Sequence, residues 1–224
     1  MSVDERARVT QGASCAPIYD AARALLSEVG AQGEQVVDVG CGKAAFRPYL
    51  KDRFGHYVGA DVVAHDGLPG DVELAKVDLD SGRVGLADSS CDAAVCLETI
   101  EHVENPRALL RELFRLTRPG GWMLVTTPNQ LSLASKLSLL LRNEFVAFQE
   151  APGLYPAHIT ALLEVDLMRM YRELGLIDCR VRYTGRGRIP LSAFHWPPPL
   201  AATTGMLGRT FSDNVLLVGR RPGG

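Results

Sequence analysis

The stretch VVDVGCGKAAF (36–46) carries a carboxylate, Asp38, just before a glycine turn. Gly40 and Gly42 flank Cys41, and a G-x-G turn before a helix offers bare backbone and free N–H groups to an anionic group. The glycine spacing excludes a phosphate-binding P-loop. A dinucleotide turn is weakly matched, because a carboxylate at the strand end does not suit a pyrophosphate. Asp38 suits an ammonium better, and S-adenosylmethionine carries an ammonium, a sulfonium and a carboxylate that the turn could bind.

Two more aspartates follow at predicted strand ends. Asp61 lies about twenty residues after the turn, a spacing that suits a carboxylate accepting from both hydroxyls of a ribose, and Val62 would pack on the adenine. Asp78 would accept from the adenine amino group while the Leu79 amide pairs with a ring nitrogen. The alternative for Asp78 is an Asx turn within DLDSG. With Asp38, these positions predict a zwitterionic nucleoside rather than a phosphate.

The stretch LETIEHV (97–103) concentrates ionisable groups after the fourth predicted strand. On a helical turn, Glu98, Glu101 and His102 share one face, because they stand at i, i+3 and i+4. Three interpretations stay open: His102 is a general base, the trio binds a divalent cation, or His102 only bonds backbone and Glu101 orients it. Leu97 and Glu98 are expected to line the cofactor pocket under each interpretation.

Two later histidines could also serve the site. His158, in YPAHIT, is the second candidate base, with a loop or helix-cap role as its alternative. His195 and Trp196 lie in a proline-rich segment (190–199) and could line the acceptor pocket.

These strand ends can meet only if the strands form a parallel sheet. The first two-thirds of the chain alternates strand and helix signals, which is typical of a parallel sheet with helices on both faces. Strands are predicted over residues 35–40, 56–61, 71–78, 91–97, 122–128, 177–185 and 212–220. Helices are predicted over residues 17–29, 44–54, 105–121, 130–142 and 160–175, with Gly120 and Gly121 ending the third. The fold class is therefore α/β, and residues 1–224 are expected to form one domain.

Composition excludes several classes of protein. The formal net charge is −2, so no overall basic field attracts nucleic acid. Five cysteines without a C-x-x-C pair argue against a disulfide framework and a cysteine zinc site, and favour a reducing cytoplasm. No signal core or membrane span is expected. Residues 129–158 are predicted to form an acceptor-side lid. Its apolar part, 131–148, could instead pack on its own domain, form a homodimer face or touch a membrane surface.

Several motifs in order resemble class I S-adenosylmethionine-dependent methyltransferases over about residues 30–180: VVDVGCG, Asp61, VDLD, SCDAAVCLETIEHVENP, LTRPGGWMLVTTPN and MRMYRELGL. The chain is most similar to the small-molecule branch that includes ubiquinone-biosynthesis O-methyltransferases. It departs from the fullest glycine motif at Ala44 and Ala45.

The resemblance implies a Rossmann-like, doubly wound seven-stranded sheet with an antiparallel last strand. It also implies S-adenosylmethionine at the carboxyl ends of the strands, with S-adenosylhomocysteine as product. From the EHV pattern, the expected acceptor is a hydroxyl oxygen of a natural product, sugar, quinone or lipid. Methylation of carbon or nitrogen, an NAD-binding oxidoreductase and a non-catalytic cofactor-binding protein are the alternatives.

Overall fold

The computed structural model describes most of the chain apart from its ends and a segment near residue 200. The described residues are 5, 7–8, 10, 12–80, 82–151, 153–185, 187–190, 192, 194–195, 197 and 208–223. Among them, no helix has the length and apolar character that crossing a membrane requires.

Seven strands form one sheet in the order β3-β2-β1-β4-β5-β7-β6. They are β1 (Gly33–Val39), β2 (Phe54–Asp61), β3 (Glu73–Lys76), β4 (Cys91–Leu97), β5 (Thr117–Pro128), β6 (Ile177–Tyr183) and β7 (Asn214–Arg220). Neighbours from β3 to β5 pair in parallel, whereas β7 is antiparallel to both β5 and β6. The predicted Rossmann-like sheet with an antiparallel last strand is therefore confirmed, and the carboxyl ends of β1, β2 and β4 meet at one edge.

Helices cover both faces of this sheet. They are α1 (Ala16–Glu28), α2 (Pro106–Leu116), α3 (Leu133–Arg142) and α4 (Glu164–Glu173), with 3₁₀ turns at Arg47–Tyr49, Ile100–His102 and Val146–Phe148. The Asn105 side chain caps α2 by accepting from the backbone N–H of Ala108 at 3.0 Å. The side chain of Ser132 caps α3 in the same way, accepting from the N–H of Ser135.

The helix predicted over 44–54 was wrong. Ala44 lies at φ +56°, in the left-handed region where a right-handed helix cannot begin. Pro48, which has no N–H to donate, then limits the segment to the short 3₁₀ turn before β2 starts at Phe54. The apolar residues that suggested a helix, Phe46 and Leu50, are instead buried in the core.

Two other helices are shorter than predicted. α2 ends at Leu116 because Thr117 adopts an extended backbone and pairs with Cys91 of β4. Gly120 and Gly121 therefore lie inside β5 rather than at the helix end. The helix predicted over 160–175 starts only at Glu164, where the N–H of the preceding residue donates to the Asp166 carboxylate at 3.2 Å.

Two apolar layers sandwich the sheet, since successive strand residues point to opposite faces. Val36 belongs to the layer that includes Leu25 and Leu26 of α1. Val37 belongs to the opposite layer, which includes Leu113 of α2 and other residues of α2 and α4. The central strands are buried on both faces, so the strand ends at the sheet edge are held on a rigid base.

Candidate active site

A cavity of about 240 Å³ opens at the carboxyl ends of β1, β2 and β4. Eleven of the twelve residues predicted to bind cofactor or act in catalysis line it: Asp38, Gly40, Cys41, Gly42, Asp61, Val62, Leu79, Leu97, Glu98, His102 and His158. The twelfth, Asp78, does not. One chamber therefore holds the glycine turn at one side and the two imidazoles at the other.

The glycine turn is folded too tightly for side chains. Gly40 lies at φ +77°, and a Cβ there would stand 2.1 Å from Oγ1 of Thr99. Gly42 lies at φ +53°, and its Cβ would stand 2.1 Å from the carbonyl oxygen of Gly12. The turn backbone therefore borders the cavity directly. Burial raises the pKa of the Cys41 thiol, which keeps it protonated.

Asp61 ties the end of β2 to the glycine turn. Its Oδ2 accepts from the Gly42 N–H at 2.8 Å, and its Oδ1 accepts from the Val62 N–H at 2.7 Å. His65 stands on the Oδ1 side, with its Nε2 3.9 Å away. The carboxylate is thus held in one orientation, at the cavity wall, by backbone donors on two strand ends.

Asp38 is almost fully enclosed, with 3% of its surface exposed. The hydroxyl of Tyr57 donates to its Oδ2 at 2.6 Å. Burial raises the pKa of the Asp38 carboxyl to about 7, with the Tyr57 hydrogen bond opposing this and the charge of Asp61 adding to it. Near neutral pH the group is therefore poised to ionise when a cation arrives.

Asp78 adopts the Asx turn that the sequence offered as its alternative, since its Oδ1 accepts from the Asp80 N–H at 2.9 Å. The turn places Leu79 and Asp80 at the cavity wall. Asp80 was missed from the sequence, although its position directly after Leu79 could have suggested it. Tyr19 of α1 and the segment around Gly12 also line the cavity and were missed, because nothing local indicates that they fold over the strand ends.

Glu98 lies at φ +50°, directly after β4. Its Oε1 accepts from the Thr126 hydroxyl and its Oε2 from the Asn214 amide, both at 2.7 Å. Burial raises the pKa of the Glu98 carboxyl to about 7, and these two hydrogen bonds oppose the rise. Both oxygens are thus engaged towards β5 and β7.

His102 and His158 are far apart in the sequence, but their rings face each other at the cavity wall with their centroids 4.6 Å apart. Each ring bonds a backbone carbonyl through Nδ1: His102 to Ala157 at 2.9 Å and His158 to Ala147 at 2.8 Å. Carbonyls only accept, so each Nδ1 carries the proton. Burial, with a contribution from His102, lowers the pKa of His158 to about 4 and keeps it neutral.

Glu101 completes this group from the same 3₁₀ turn as His102. It is fully buried, and its Oε2 accepts from the Thr127 hydroxyl at 3.1 Å. Its Oε1 lies 3.9 Å from Nε2 of His158. Burial raises the pKa of the Glu101 carboxyl well above its usual range, and the nearby charge of Glu98 adds to this.

The structure groups the possible cation ligands differently from the trio considered in the sequence. One ligand atom from each of Glu101, His102 and His158 lies within 4.8 Å of the others. Glu98 is not in this group, because its carboxylate is bound to Thr126 and Asn214. A helical turn was assumed at 98–102, whereas the left-handed backbone at Glu98 directs the chain differently.

His195 lies apart from this chamber. It is half-exposed, its Nε2 is 3.1 Å from Oδ2 of Asp213, and it is not among the residues lining the cavity. Trp196, its predicted companion, falls outside the described residues.

Comparison with known proteins identifies the family to which the chain belongs. A family model described as a methyltransferase domain matches residues 14–176. A probable S-adenosylmethionine-dependent methyltransferase of Mycolicibacterium smegmatis is 29% identical over 166 residues, covering 68% of this chain and 61% of the relative. A ubiquinone biosynthesis O-methyltransferase of Aeromonas salmonicida is 26% identical over 156 residues, covering 66% of this chain and 65% of the relative. The chain thus spans less than two thirds of each of these relatives.

Solved structures agree on the fold. A crystal structure of an S-adenosylmethionine-dependent methyltransferase from Archaeoglobus fulgidus superposes with a TM-score of 0.63 at 16% identity. The match covers 91% of this chain and 94% of that one, so the two chains share the fold.

Proposed function

The chain belongs to the methyltransferase-domain family, and we propose that it transfers the methyl group of S-adenosylmethionine to a hydroxyl oxygen of a small-molecule acceptor. The observation that carries this proposal is the single cavity joining the glycine turn and its carboxylates to the two imidazoles. The matched O-methyltransferase supports the choice of oxygen as the acceptor atom.

The residues of the cavity fit this cofactor group by group. Asp61, held by two backbone amides, would accept from the ribose hydroxyls, and Asp38 would bind the ammonium directly or through water. The turn at Gly40 and Gly42 would give its N–H groups to the methionine carboxylate. Burial of two carboxylates in one cavity is unfavourable by itself and is relieved by a cationic ligand.

The remaining residues predicted to bind the cofactor would surround its adenine ring and its methyl-donating end. Val62 would pack on the adenine, and Leu79 would present its backbone to the ring, held there by the Asx turn of Asp78. Leu97 and Glu98 would line the pocket nearer the acceptor.

Methyl transfer places modest demands on the protein, because a sulfonium is already an activated methyl donor. The chain must align donor and acceptor and exclude water. A hydroxyl acceptor must also lose its proton, and we assign that task to the cluster of Glu101, His102 and His158 at the cavity wall. His102 and His158 are therefore the proposed catalytic residues.

The lid proposed over residues 129–158 is supported by its reach into the chamber. Leu154 and His158 both line the cavity, while Leu140 and Leu141 of α3 point outwards with 76% and 62% of their surface exposed. A homodimer through this outer face stays a prediction, as does a cytoplasmic location.

Calorimetric titration tests the cofactor, and an acceptor screen tests the reaction. We expect S-adenosylmethionine and S-adenosylhomocysteine to bind and NAD not to bind. NAD binding without S-adenosylmethionine binding would instead support an oxidoreductase. Cofactor binding without turnover on phenolic, sugar and lipid hydroxyls, or on amines and activated carbons, would support a non-catalytic binding protein.

The affinity for S-adenosylmethionine should rise with pH between about 5.5 and 7. Below its pKa of about 7, Asp38 is protonated in the free protein, and binding an ammonium requires that proton to leave. We expect the dissociation constant to fall by up to about tenfold per pH unit in this range. Titrations in buffers of different ionisation enthalpy should detect about one released proton.

The variant Asp38→Asn should lose this pH dependence and bind S-adenosylmethionine more weakly at pH 7. Because the folded-state pKa is raised, the stabilising effect of a protonated Asp38 is present below about pH 4 and is lost as pH rises through 7. At pH 8 the free energy of unfolding of the Asn variant should therefore exceed that of the wild type by up to about 4 kcal/mol. Its melting temperature at this pH should be correspondingly higher. An unchanged pH profile of binding in the variant would contradict the role given to Asp38.

A further inference from the structure

We propose that His65 is a further cofactor-binding residue, whose Nε2–H donates to a ribose hydroxyl that in turn donates to Asp61. The inference rests on the proposed function, because it adds a second side chain to the ribose-binding part of the same chamber. His65 stands four residues after Asp61, the last residue of β2, and lines the cavity beside Asp61 and Val62. It was not predicted from the sequence.

The side chain of His65 is enclosed but makes no hydrogen bond. Only 6% of its surface is exposed, and among the described residues no group forms a hydrogen bond with the ring. Its nitrogens still reach open space, because the fully enclosed polar side-chain atoms without a partner lie elsewhere in the described chain, at Arg53, Ser90 and Glu101. Buried polar groups normally bond to protein, water or ligand. This imidazole therefore has a donor to offer a ligand in the cavity.

The gap between His65 and Asp61 matches one hydroxyl oxygen. Nε2 of His65 lies 3.9 Å from Oδ1 of Asp61, whereas a direct hydrogen bond needs about 2.7–3.2 Å. An oxygen placed about 2.8 Å from each atom would bond to both. A carboxylate only accepts and an imidazole N–H donates, whereas a hydroxyl does both. The hydroxyl would therefore donate to Asp61 and accept from His65.

Gly12 holds the imidazole in this position. Gly12 lies at φ +62°, and a Cβ there would stand 2.7 Å from both Cγ and Nδ1 of His65. The carbonyl oxygen of Gly12 accepts from the Lys43 N–H at 2.7 Å, which fixes Gly12 on the glycine turn. Asp61 is bonded to the same turn through the Gly42 N–H. Both side chains are thus positioned before a ligand arrives, which lowers the entropic cost of binding.

Paired changes in protein and ligand test this contact. The full chain and its His65→Phe variant would be titrated calorimetrically with S-adenosylhomocysteine, its 2′-deoxy form and its 3′-deoxy form. Phenylalanine keeps a ring against Gly12 but cannot donate a hydrogen bond. We expect the variant to bind S-adenosylhomocysteine about 3- to 10-fold more weakly than the wild type, which is the effect of one hydrogen bond. We expect it to match the wild type in affinity for one of the two deoxy forms, because that form lacks the bridging hydroxyl.

Two results would overturn the proposal. An equal loss of affinity for all three ligands would show that the His65 ring only packs in the cavity wall. An unchanged affinity of His65→Phe for S-adenosylhomocysteine would show that the ring makes no contact with the ligand.

His65→Gln and His56→Ala are the matched variants. Glutamine can place an amide N–H near the position of Nε2, so His65→Gln should bind S-adenosylhomocysteine within about threefold of the wild type. His56 is half-exposed, pairs with Glu73 and does not line the cavity, so His56→Ala should bind as the wild type does. Thermal unfolding would show that each variant is folded. A loss in His65→Gln as large as that in His65→Phe would refute a donated hydrogen bond.

The outcome is separable from that of the proposed function. If the wild type binds S-adenosylhomocysteine and His65→Phe binds it equally well, only this inference fails. If the wild type does not bind S-adenosylhomocysteine, the proposed function fails, and the same titrations are made with adenosine, 2′-deoxyadenosine and 3′-deoxyadenosine. Dependence of the His65→Phe effect on one ribose hydroxyl would then leave the contact standing, whereas no binding of adenosine would refute it too.

Discussion

Replacing Asp61 by alanine is expected to raise the dissociation constant for S-adenosylmethionine by at least about 100-fold. Two hydrogen bonds from ribose hydroxyls to a carboxylate contribute about 1.5–3 kcal/mol each, and every 1.4 kcal/mol is a factor of ten. The variant also leaves the N–H groups of Gly42 and Val62 without their acceptor, which loosens the glycine turn. Calorimetric titration at pH 7 measures the change.

Asp66→Ala is the matched control for this variant. Asp66 is an exposed aspartate five positions further along the chain that does not line the cavity. We expect its affinity for S-adenosylmethionine to equal that of the wild type. Binding by Asp61→Ala within threefold of the wild type would show that the carboxylate only orders its own turn.

Replacing Gly40 by alanine is expected to destabilise the protein and remove cofactor binding together. A non-glycine residue in the left-handed region costs about 1–2 kcal/mol, and forcing a methyl group against Thr99 adds about 1–3 kcal/mol. The melting temperature should fall by roughly 5–15 °C for a chain of this size. Differential scanning calorimetry and cofactor titration on one sample measure both effects.

Gly70→Ala controls for the loss of a glycine as such, because a Cβ there meets nothing within 4 Å and its φ is not left-handed. The double variant Gly40→Ala with Thr99→Ala should recover part of the lost stability, since it removes Oγ1 and Cγ2 but not the backbone strain. A single Gly40→Ala variant as stable as Gly70→Ala would contradict the geometry of the turn.

Strands were easier to predict than helices. The run CDAAVCL coincides with β4 residue for residue, because a short apolar run buried on both faces is bounded by polar residues. The segment 44–54 also carries apolar residues, yet its only helical structure is a 3₁₀ turn. The left-handed backbone of Ala44 depends on how the glycine turn meets β2 and the segment at Gly12, and no local pattern records that.

The proposed cofactor half of the site followed from the sequence in a way that the proposed acceptor half did not. Asp38 and Asp61 were predicted because parallel strands bring their carboxyl ends to one edge, so position along each strand already implies position in space. Asp80 and Tyr19 escaped prediction because they reach the cavity through a turn and a helix whose placement depends on packing.

The sequence by itself determined the α/β order, the strand ends and the carboxylates that stand on them, since strand periodicity and glycine turns are local properties of the chain. Only the tertiary structure decided which ionisable groups face one another beyond β4. It turned Glu98 towards Thr126 and Asn214, and it brought His158 to Glu101 and His102. The physical reason is that these contacts are made between distant segments, through hydrogen bonds to side chains and backbone carbonyls whose positions exist only after folding.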